Sequence, residues 1–485
     1  MRKALLACTA ILIAAPAWAA DETSVPKSDG GQSGAEIATG AASAAVAQAS
    51  PAPGSAEERD MLLQEIRSLR DRVGALENRA SQVQYSPEMP QRHKLLGDHN
   101  FELYGFVQLD AIQDFKRVHP DWDATLRPSR IPTSDGEFGS DGQTLFSVRQ
   151  SRLGAKATGM LAGKPYEAKF EFDLFGTGVD AGQTTFRVRH MYGSWGPILV
   201  GQTNTLWMDA DIFPNVLDYW GPPGQVNTRN PQIRYTFIDR DGWKAAVALE
   251  NPSDDIDPGG IRLIDPELAT NIRANEELPD LTAMVRYGGD WGHVQLGGIL
   301  RKVGFDTVGT DDNEPEGSET GWGVSLSGSA KVSLATFRLG VVHGRGIATY
   351  MNDGGMDLAP SANLTPFPQP PIFPPPDIPL NLLLEAEAVK LTGMSAYVDL
   401  QWTKQLSSAL GYSFTKVDNT NFQEATAFHK GSYASGNLLW MPADRILTGI
   451  EFLWGKREDN DGDTGTDFRM QSSFKLSFSS KDIWD

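Results

Sequence analysis

Apolar and polar side chains alternate with a period of two over most of the chain, the spacing that puts successive residues on opposite faces of a β-strand. In the clearest stretch Tyr166, Ala168, Phe170, Phe172 and Leu174 fall on one face, and Glu167, Lys169, Glu171 and Asp173 on the other. Sixteen such segments are expected, near residues 101–113, 143–157, 165–175, 184–195, 197–204, 231–238, 243–250, 280–288, 293–303, 320–329, 333–343, 389–402, 407–417, 425–440, 444–455 and 466–480. Their connections alternate, short at 158–164, 196, 239–242, 289–292 and 441–443, and long at 116–142, 205–230, 251–279 and 344–388. Antiparallel strands with tight turns at one end and long loops at the other describe a barrel whose apolar face meets lipid. A soluble sandwich has no reason for that asymmetry. The expected fold is all-β, a sixteen-stranded antiparallel transmembrane β-barrel over residues 101–485, following an N-terminal coiled-coil helix.

Ahead of the barrel the period changes. Leu62, Ile66, Leu69, Val73 and Leu76 recur at spacings of four and three within residues 57–80, one seam of a helix that needs a partner. Glu65 with Arg70, and Arg72 with Glu77, stand where parallel neighbours form ion pairs. The a and d residues alone favour a dimer, whereas the Arg-apolar-x-x-apolar-Glu order from Arg72 to Glu77 favours a trimer, the preferred reading over a lone amphipathic helix. Residues 20–56, rich in Ala, Ser and Gly, read as a flexible linker, and 81–100 as a polar connector. Arg2 and Lys3, an apolar run to Ala15 and the small residues of Ala17-Trp18-Ala19 mark 1–19 as a cleaved signal peptide. Cys8 sits too early in that run to be a lipid acceptor, and it is the only cysteine, so the mature chain would hold no disulfide, thiolate metal site or cysteine nucleophile.

The net charge of −19 becomes two units more negative when Arg2 and Lys3 leave, a poor match for nucleic acid. The proline tract of residues 366–379 lacks the donors a strand ladder requires and belongs to a loop. Asp459 to Asp463 has carboxylates at alternate positions like a calcium loop, but its glycine is misplaced and no glutamate closes the set. It reads as surface charge. No metal and no cofactor is expected.

Ser147-Val148-Arg149-Gln150-Ser151-Arg152-Leu153-Gly154, then Val200-Gly201-Gln202-Thr203, Gly221-Pro222-Pro223-Gly224 and Ile233-Arg234-Tyr235, resemble the DcaP-like family of trimeric outer-membrane porins. The order of signal, linker, coiled coil and barrel extends the resemblance over almost the whole chain. It implies a homotrimer in contact with outer-membrane lipid, a coiled coil in the periplasm, and passive uptake of small hydrophilic solutes, often anionic ones such as dicarboxylic acids. The chain departs from the common porin ending by running past Phe478 to Trp484 and Asp485.

Strand parity names the candidate selector. With Phe186, Val188 and Tyr192 toward lipid, Arg187 and Arg189 face the lumen, and with Ile233, Tyr235 and Phe237 toward lipid, so does Arg234. Arg149 and Arg152 lie three apart, so alternation admits one of them, Arg152, unless a bulge intervenes. The third long loop is expected to fold inward and set Asp209, Asp211 and Asp218 against these arginines in a transverse field; the plainer reading pairs the arginines with Glu171 and Asp173. Sugar selectivity is the alternative, with Trp207, Tyr219 and Trp220 as stacking surfaces, and general diffusion, an adhesive barrel and an outer-membrane enzyme are the further ones. His93, His99, His119, His190, His293, His343 and His429 fall in no nucleophile or metal motif, and His190 falls on the lipid face, so no enzyme is expected.

Overall fold

The computed structural model describes residues 99–362 and 384–481. The signal peptide, the linker, the seam from Leu62 to Leu76, nearly all of the connector, the proline tract and Trp484 lie outside them.

Within the described residues, alternation becomes a barrel wall of sixteen strands hydrogen-bonded in chain order. They are β1 (Asn100–Asp114), β2 (the two pieces Gln143–Ser147 and Arg152–Leu161), β3 (Lys164–Phe175), β4 (Thr184–Trp195), β5 (Ile198–Asn204), β6 (Arg229–Arg240), β7 (Trp243–Glu250) and β8 (Asp280–Gly289). There follow β9 (Gly292–Thr307), β10 (Gly317–Val332), β11 (Ala335–Arg345), β12 (Lys390–Gln401), β13 (Leu406–Asp418), β14 (Phe428–Ala443), β15 (Ile446–Asp459) and β16 (Thr464–Ser479). The expected segments coincide with these strands. β16 pairs back onto β1, from Tyr104 opposite Ser479 to Asp114 opposite Arg469, and closes the sheet. Closure removes the free edges, so the wall satisfies its amides without water.

No helix among the described residues is long and apolar enough to cross a membrane, and the strands do the crossing. Phe101, Val107 and Phe186 are 60%, 61% and 76% exposed on the outer face, an arrangement that suits lipid and not water. Trp195, Trp243, Tyr287, Trp291, Trp402 and Trp440 stand exposed near the short-turn end, where amphipathic rings suit a membrane interface. The turns there are tight. In Ala162-Gly163 and Asp241-Gly242 both residues have positive φ, the backbone of a two-residue hairpin turn that matches strand twist.

The opposite end carries the long connections, of which L1 (115–142), L3 (205–228), L4 (251–279) and L6 (346–389) matter most. L1 buries Leu126 and Ile131 completely, packing them in one cluster with Tyr433 of β14 and Leu453 of β15. L6 pairs with L3: Val226 bridges Met351, the Asn352 amide donates to the Gln225 carbonyl at 3.0 Å, and the Asn227 amide to the Tyr350 carbonyl at 2.9 Å. Trp207, Val226, Ile347 and Tyr350 of these loops pack with Leu391 and Val417 of the wall into an apolar core inside the barrel. Each large side chain so buried contributes about 1.5–3 kcal/mol, which fixes the loops in the lumen.

Candidate functional site

L3 leaves β5 and follows the inner wall. Thr205 donates to Glu250 of β7 at 2.8 Å, and Asp209 bonds His293 of β9 and Ser327 of β10, both at 2.7 Å. Arg338 of β11 donates to the Asp211 carbonyl, and the Asn215 amide reaches Asp399 of β12 at 3.4 Å. The Leu217 and Asp218 amides donate to Glu451 of β15 at 2.5 and 2.9 Å, and Gln471 of β16 donates to the Leu217 carbonyl at 3.0 Å. Tyr219 then reaches β3 and β4, where Arg189 donates to its hydroxyl at 2.8 Å. The loop is a girdle around the lumen.

The wall that Tyr219 meets is built of arginine. Arg187 forks onto Asp173 at 3.1 and 2.8 Å, and Arg189 bridges Glu171 at 2.9 Å and Asp173 at 3.0 Å. Tyr219 bonds Arg187 and Asp173 as well. Arg152 stands 3.6 Å from Glu171, while Arg234 donates to Gln232 at 3.0 Å and to the Asn204 carbonyl at 2.7 Å. The plainer pairing with Glu171 and Asp173 therefore holds for Arg152, Arg187 and Arg189.

Two bulges correct the parity argument. Ser147 opposes Asp110 and Arg152 opposes Phe106, so β2 fits four residues where β1 has three. Arg149 and Arg152 both turn inward as a result; Arg149 lies 3.8 Å from Asp123 of L1. On β4, His190 opposes Glu171 while Val188 opposes Phe172, which leaves Arg189 as the extra residue. Beyond it the phase is reversed. His190, expected toward lipid, is buried beside Thr203 at 2.9 Å, and Tyr192, also expected there, donates inward to Glu167.

The loop acids need a larger correction, for none of them pairs with the arginines of β2, β4 or β6. Asp209 is engaged by His293, Ser327 and Arg286, and Asp211 by Arg286. Burial alone would raise the Asp209 carboxyl, but the bonds from His293 and Ser327 bring it below the ordinary value. Asp218 is buried under bonds from Thr125 at 2.7 Å, Leu126 and Gly221 amides at 3.1 Å and Tyr433 at 3.3 Å. Burial pushes its carboxyl up despite those donors. All three acids tie the loop to the wall or to L1.

Arg152, Arg187 and Arg189 face a cavity of about 1020 Å³, whose lining does not include Arg234. Seven arginines line it, Arg127, Arg130, Arg152, Arg187, Arg189, Arg229 and Arg457, against the three acids Asp218, Asp255 and Asp353. Arg127 pairs with Asp353 at 2.9 Å and Arg457 with Asp459 at 2.6 Å. Among the described residues, Arg130 and Arg229 have no carboxylate within 4.0 Å, and the Arg229 Nε is buried without a partner. Neither was singled out from sequence. Arg229 lies two residues before the expected start of its strand, and Arg130 sits in L1 where no period points to a face.

The remaining candidates divide. Trp207 is buried in the lumen core, out of reach of a sugar ring, whereas Tyr219 and Trp220 line the cavity, Trp220 edge-on against Trp122 with centroids 4.8 Å apart. Asp209, Asp211 and His293 offer ligand atoms within 4.8 Å of one another, but the Arg286 guanidinium already sits on both carboxylates. Ser329 lies 3.0 Å from the other ring nitrogen of His293, and since Asp209 also takes Ser327 and Arg286, this chain of bonds anchors L3. In the acidic run after β15, Asp459 bonds Arg457 and Thr133, and Asp461 accepts the Asp463 amide at 3.0 Å.

A family model described as DcaP outer membrane protein matches residues 82–352. No curated protein matches the chain. The crystal structure of the outer membrane channel DcaP of Acinetobacter baumannii is similar at a TM-score of 0.64 and 22% identity, covering 79% of this chain and 98% of that one. An anion-selective porin from Comamonas acidovorans aligns at a TM-score of 0.49 and 12% identity, covering 79% and 100% respectively. Matched over more than half its length and closed into a sixteen-stranded barrel, the chain belongs to the DcaP outer membrane protein family, and it is an outer-membrane porin, a channel and not an enzyme.

Proposed function

We propose that this porin admits small anionic solutes, dicarboxylates among them, by passive diffusion, with its arginine wall as the selector. Arg130 and Arg229 carry the reading: cations that face a wet cavity without a carboxylate partner attract anions. Glu171 and Asp173 offset only part of the charge of Arg152, Arg187 and Arg189, so the wall keeps a positive surplus. Guanidinium holds its charge at any physiological pH and grips a carboxylate through two parallel bonds. The chain's net charge of −19 does not oppose this, because the field inside the lumen governs selection. The dicarboxylate preference comes from the family resemblance. The same reading makes the channel a homotrimer, exported through the signal of residues 1–19, with the seam from Leu62 to Leu76 as a periplasmic coiled coil and residues 20–56 as its tether.

Reversal potentials of the purified porin in planar bilayers under a salt gradient test it. Anion preference that falls in Arg187→Ala, Arg189→Ala and Arg229→Ala is the expected result. Cation preference, unchanged by these substitutions, refutes it.

A further inference from the structure

Two cations on the periplasmic side of the L3 girdle are sparsely paired: Arg152 has Glu171 at 3.6 Å, and Lys475 has no carboxylate within 4.0 Å among the described residues. Arg152 on β2 and Lys475 on β16 flank Phe106 of β1, the guanidinium carbon 5.2 Å and the ammonium nitrogen 5.0 Å from the same ring centroid. Arg152 lies directly opposite Phe106 across one strand pair, and Lys475 opposite Gln108 across the other. Phe106 and Gln108 share a face of β1, and its ring is only partly exposed.

The neighbouring charges are accounted for. Lys156 pairs with Glu167 at 3.1 Å, and Lys169 with Glu171 at 3.3 Å. Asp110, the nearby acid of β1, is engaged by Gln108, Gln150, Gln471 and Ser473. Lys475 has no carboxylate within 4.0 Å among the described residues, and Arg152 reaches Glu171 only at 3.6 Å, with its Nε buried and unpartnered. Two positive groups held on one aromatic ring repel each other, and the Arg152 Nε lacks an acceptor; an anion answers both.

The height of the pair in the wall is fixed by register. Gln150 and Gln471 both donate to the Leu217 carbonyl of L3, at 2.9 and 3.0 Å. Along β2 and β16, Arg152 and Lys475 come after these glutamines, toward the short-turn end. Phe106 likewise precedes Gln108 on β1, which runs the other way. A solute that has passed L3 meets this pair next.

We infer that Arg152 and Lys475, held on either side of Phe106, form a second station for a small oxyanion, a carboxylate or phosphate, on the periplasmic side of L3. The inference rests on the anionic reading of the channel and adds a specificity residue, Lys475, below the cavity. Arg152 lines both the cavity and the station, so it hands the anion from one to the other.

The test uses the full-length purified porin in planar bilayers, with reversal potential under a potassium chloride gradient and the reduction of chloride current by inorganic phosphate. Wild type is expected to prefer anions and to be blocked by phosphate. In Lys475→Gln the chloride preference falls roughly three- to fivefold, the effect of one unit charge in water-filled surroundings, and the phosphate block weakens. Lys475→Arg restores both, and Lys164→Gln, at a periplasmic turn, changes neither. Should Lys475→Gln fail to fold, Lys475→Met keeps an apolar stem against Phe106 and gives the same readout. Wild-type anion preference with Lys475→Gln unaltered overturns the station and leaves the anionic channel standing. A cation-preferring wild type overturns both.

Discussion

Thr125 donates its hydroxyl to Asp218 at 2.7 Å, and through that bond L1 holds L3 against the wall. Asp218 also accepts from Leu126, Gly221 and Tyr433, so its removal orphans buried donors on two loops and a strand. Asp218→Ala is expected to cost about 2–4 kcal/mol of loop docking. Single-channel recordings should show larger and noisier conductance, and traces identical to wild type would disprove the tie.

Arg189 and Arg229 differ in what they leave behind. Removing Arg189 strands Glu171 and Asp173 without one of their partners in a buried site, at a cost of about 3–5 kcal/mol. Removing Arg229 strands no acid. Arg189→Ala should lower the thermal unfolding temperature and the anion preference together, whereas Arg229→Ala should lower the preference alone. Equal stability losses in the two variants would contradict the pairing.

The docking of L4 should depend on pH. Asp254 bonds Arg301 at 2.5 Å and accepts the Gly304 amide at 3.2 Å, with Asp280 and Asp357 on the same guanidinium. Asp255 and Glu276 of L4, Tyr350 of L6 and Glu250 of β7 complete the charged and titratable surroundings. Burial, and then the neighbouring Asp357 and Asp280, lift the Asp254 carboxyl from 3.8 to about 7 against the pull of Arg301. Docked L4 thus keeps a proton that free L4 releases. Its attachment is strongest below about pH 4 and weakens as pH rises through about 7. Proteolytic cleavage within residues 251–279 should accelerate over that window, and Asp254→Asn should flatten the dependence.

Gly224 turns L3 back at φ +77°, and a Cβ there would lie 2.1 Å from the Phe414 carbonyl oxygen of β13. Gly224→Ala should cost roughly 2–4 kcal/mol through overpacking and a forbidden backbone angle. Gly163 has a similar φ of +75° but open space around it, so Gly163→Ala should cost only about 1 kcal/mol. Thermal melts of the two variants compare them directly. A smaller loss at Gly224 than at Gly163 would mean that L3 does not press on that wall.

The barrel was legible because lipid outside and water inside impose opposite demands on adjacent residues, and sixteen strands repeat that demand. Parity failed where one extra residue entered a strand. The trace a bulge leaves is faint: two arginines three apart at Arg149 and Arg152, or two adjacent polar side chains at Arg189 and His190. Lys475, between Phe474 and Leu476, was legible by the same parity and was passed over. The roles of Asp209, Asp211 and Asp218 were not legible, because the route of a loop around a lumen is set by contacts 45 to 254 residues apart and by no local period.

The four-for-three fit of β2 against β1 gives this channel an evolutionary handle that substitution does not. Loss of the Arg149 codon would restore regular alternation, with Gln150 taking the inward place between Ser147 and Arg152, and would remove one arginine from the water path without altering any remaining amino acid. Related barrels can therefore diverge in permeability by gaining or dropping a single residue, and an alignment that scores identity column by column would record that change as a gap.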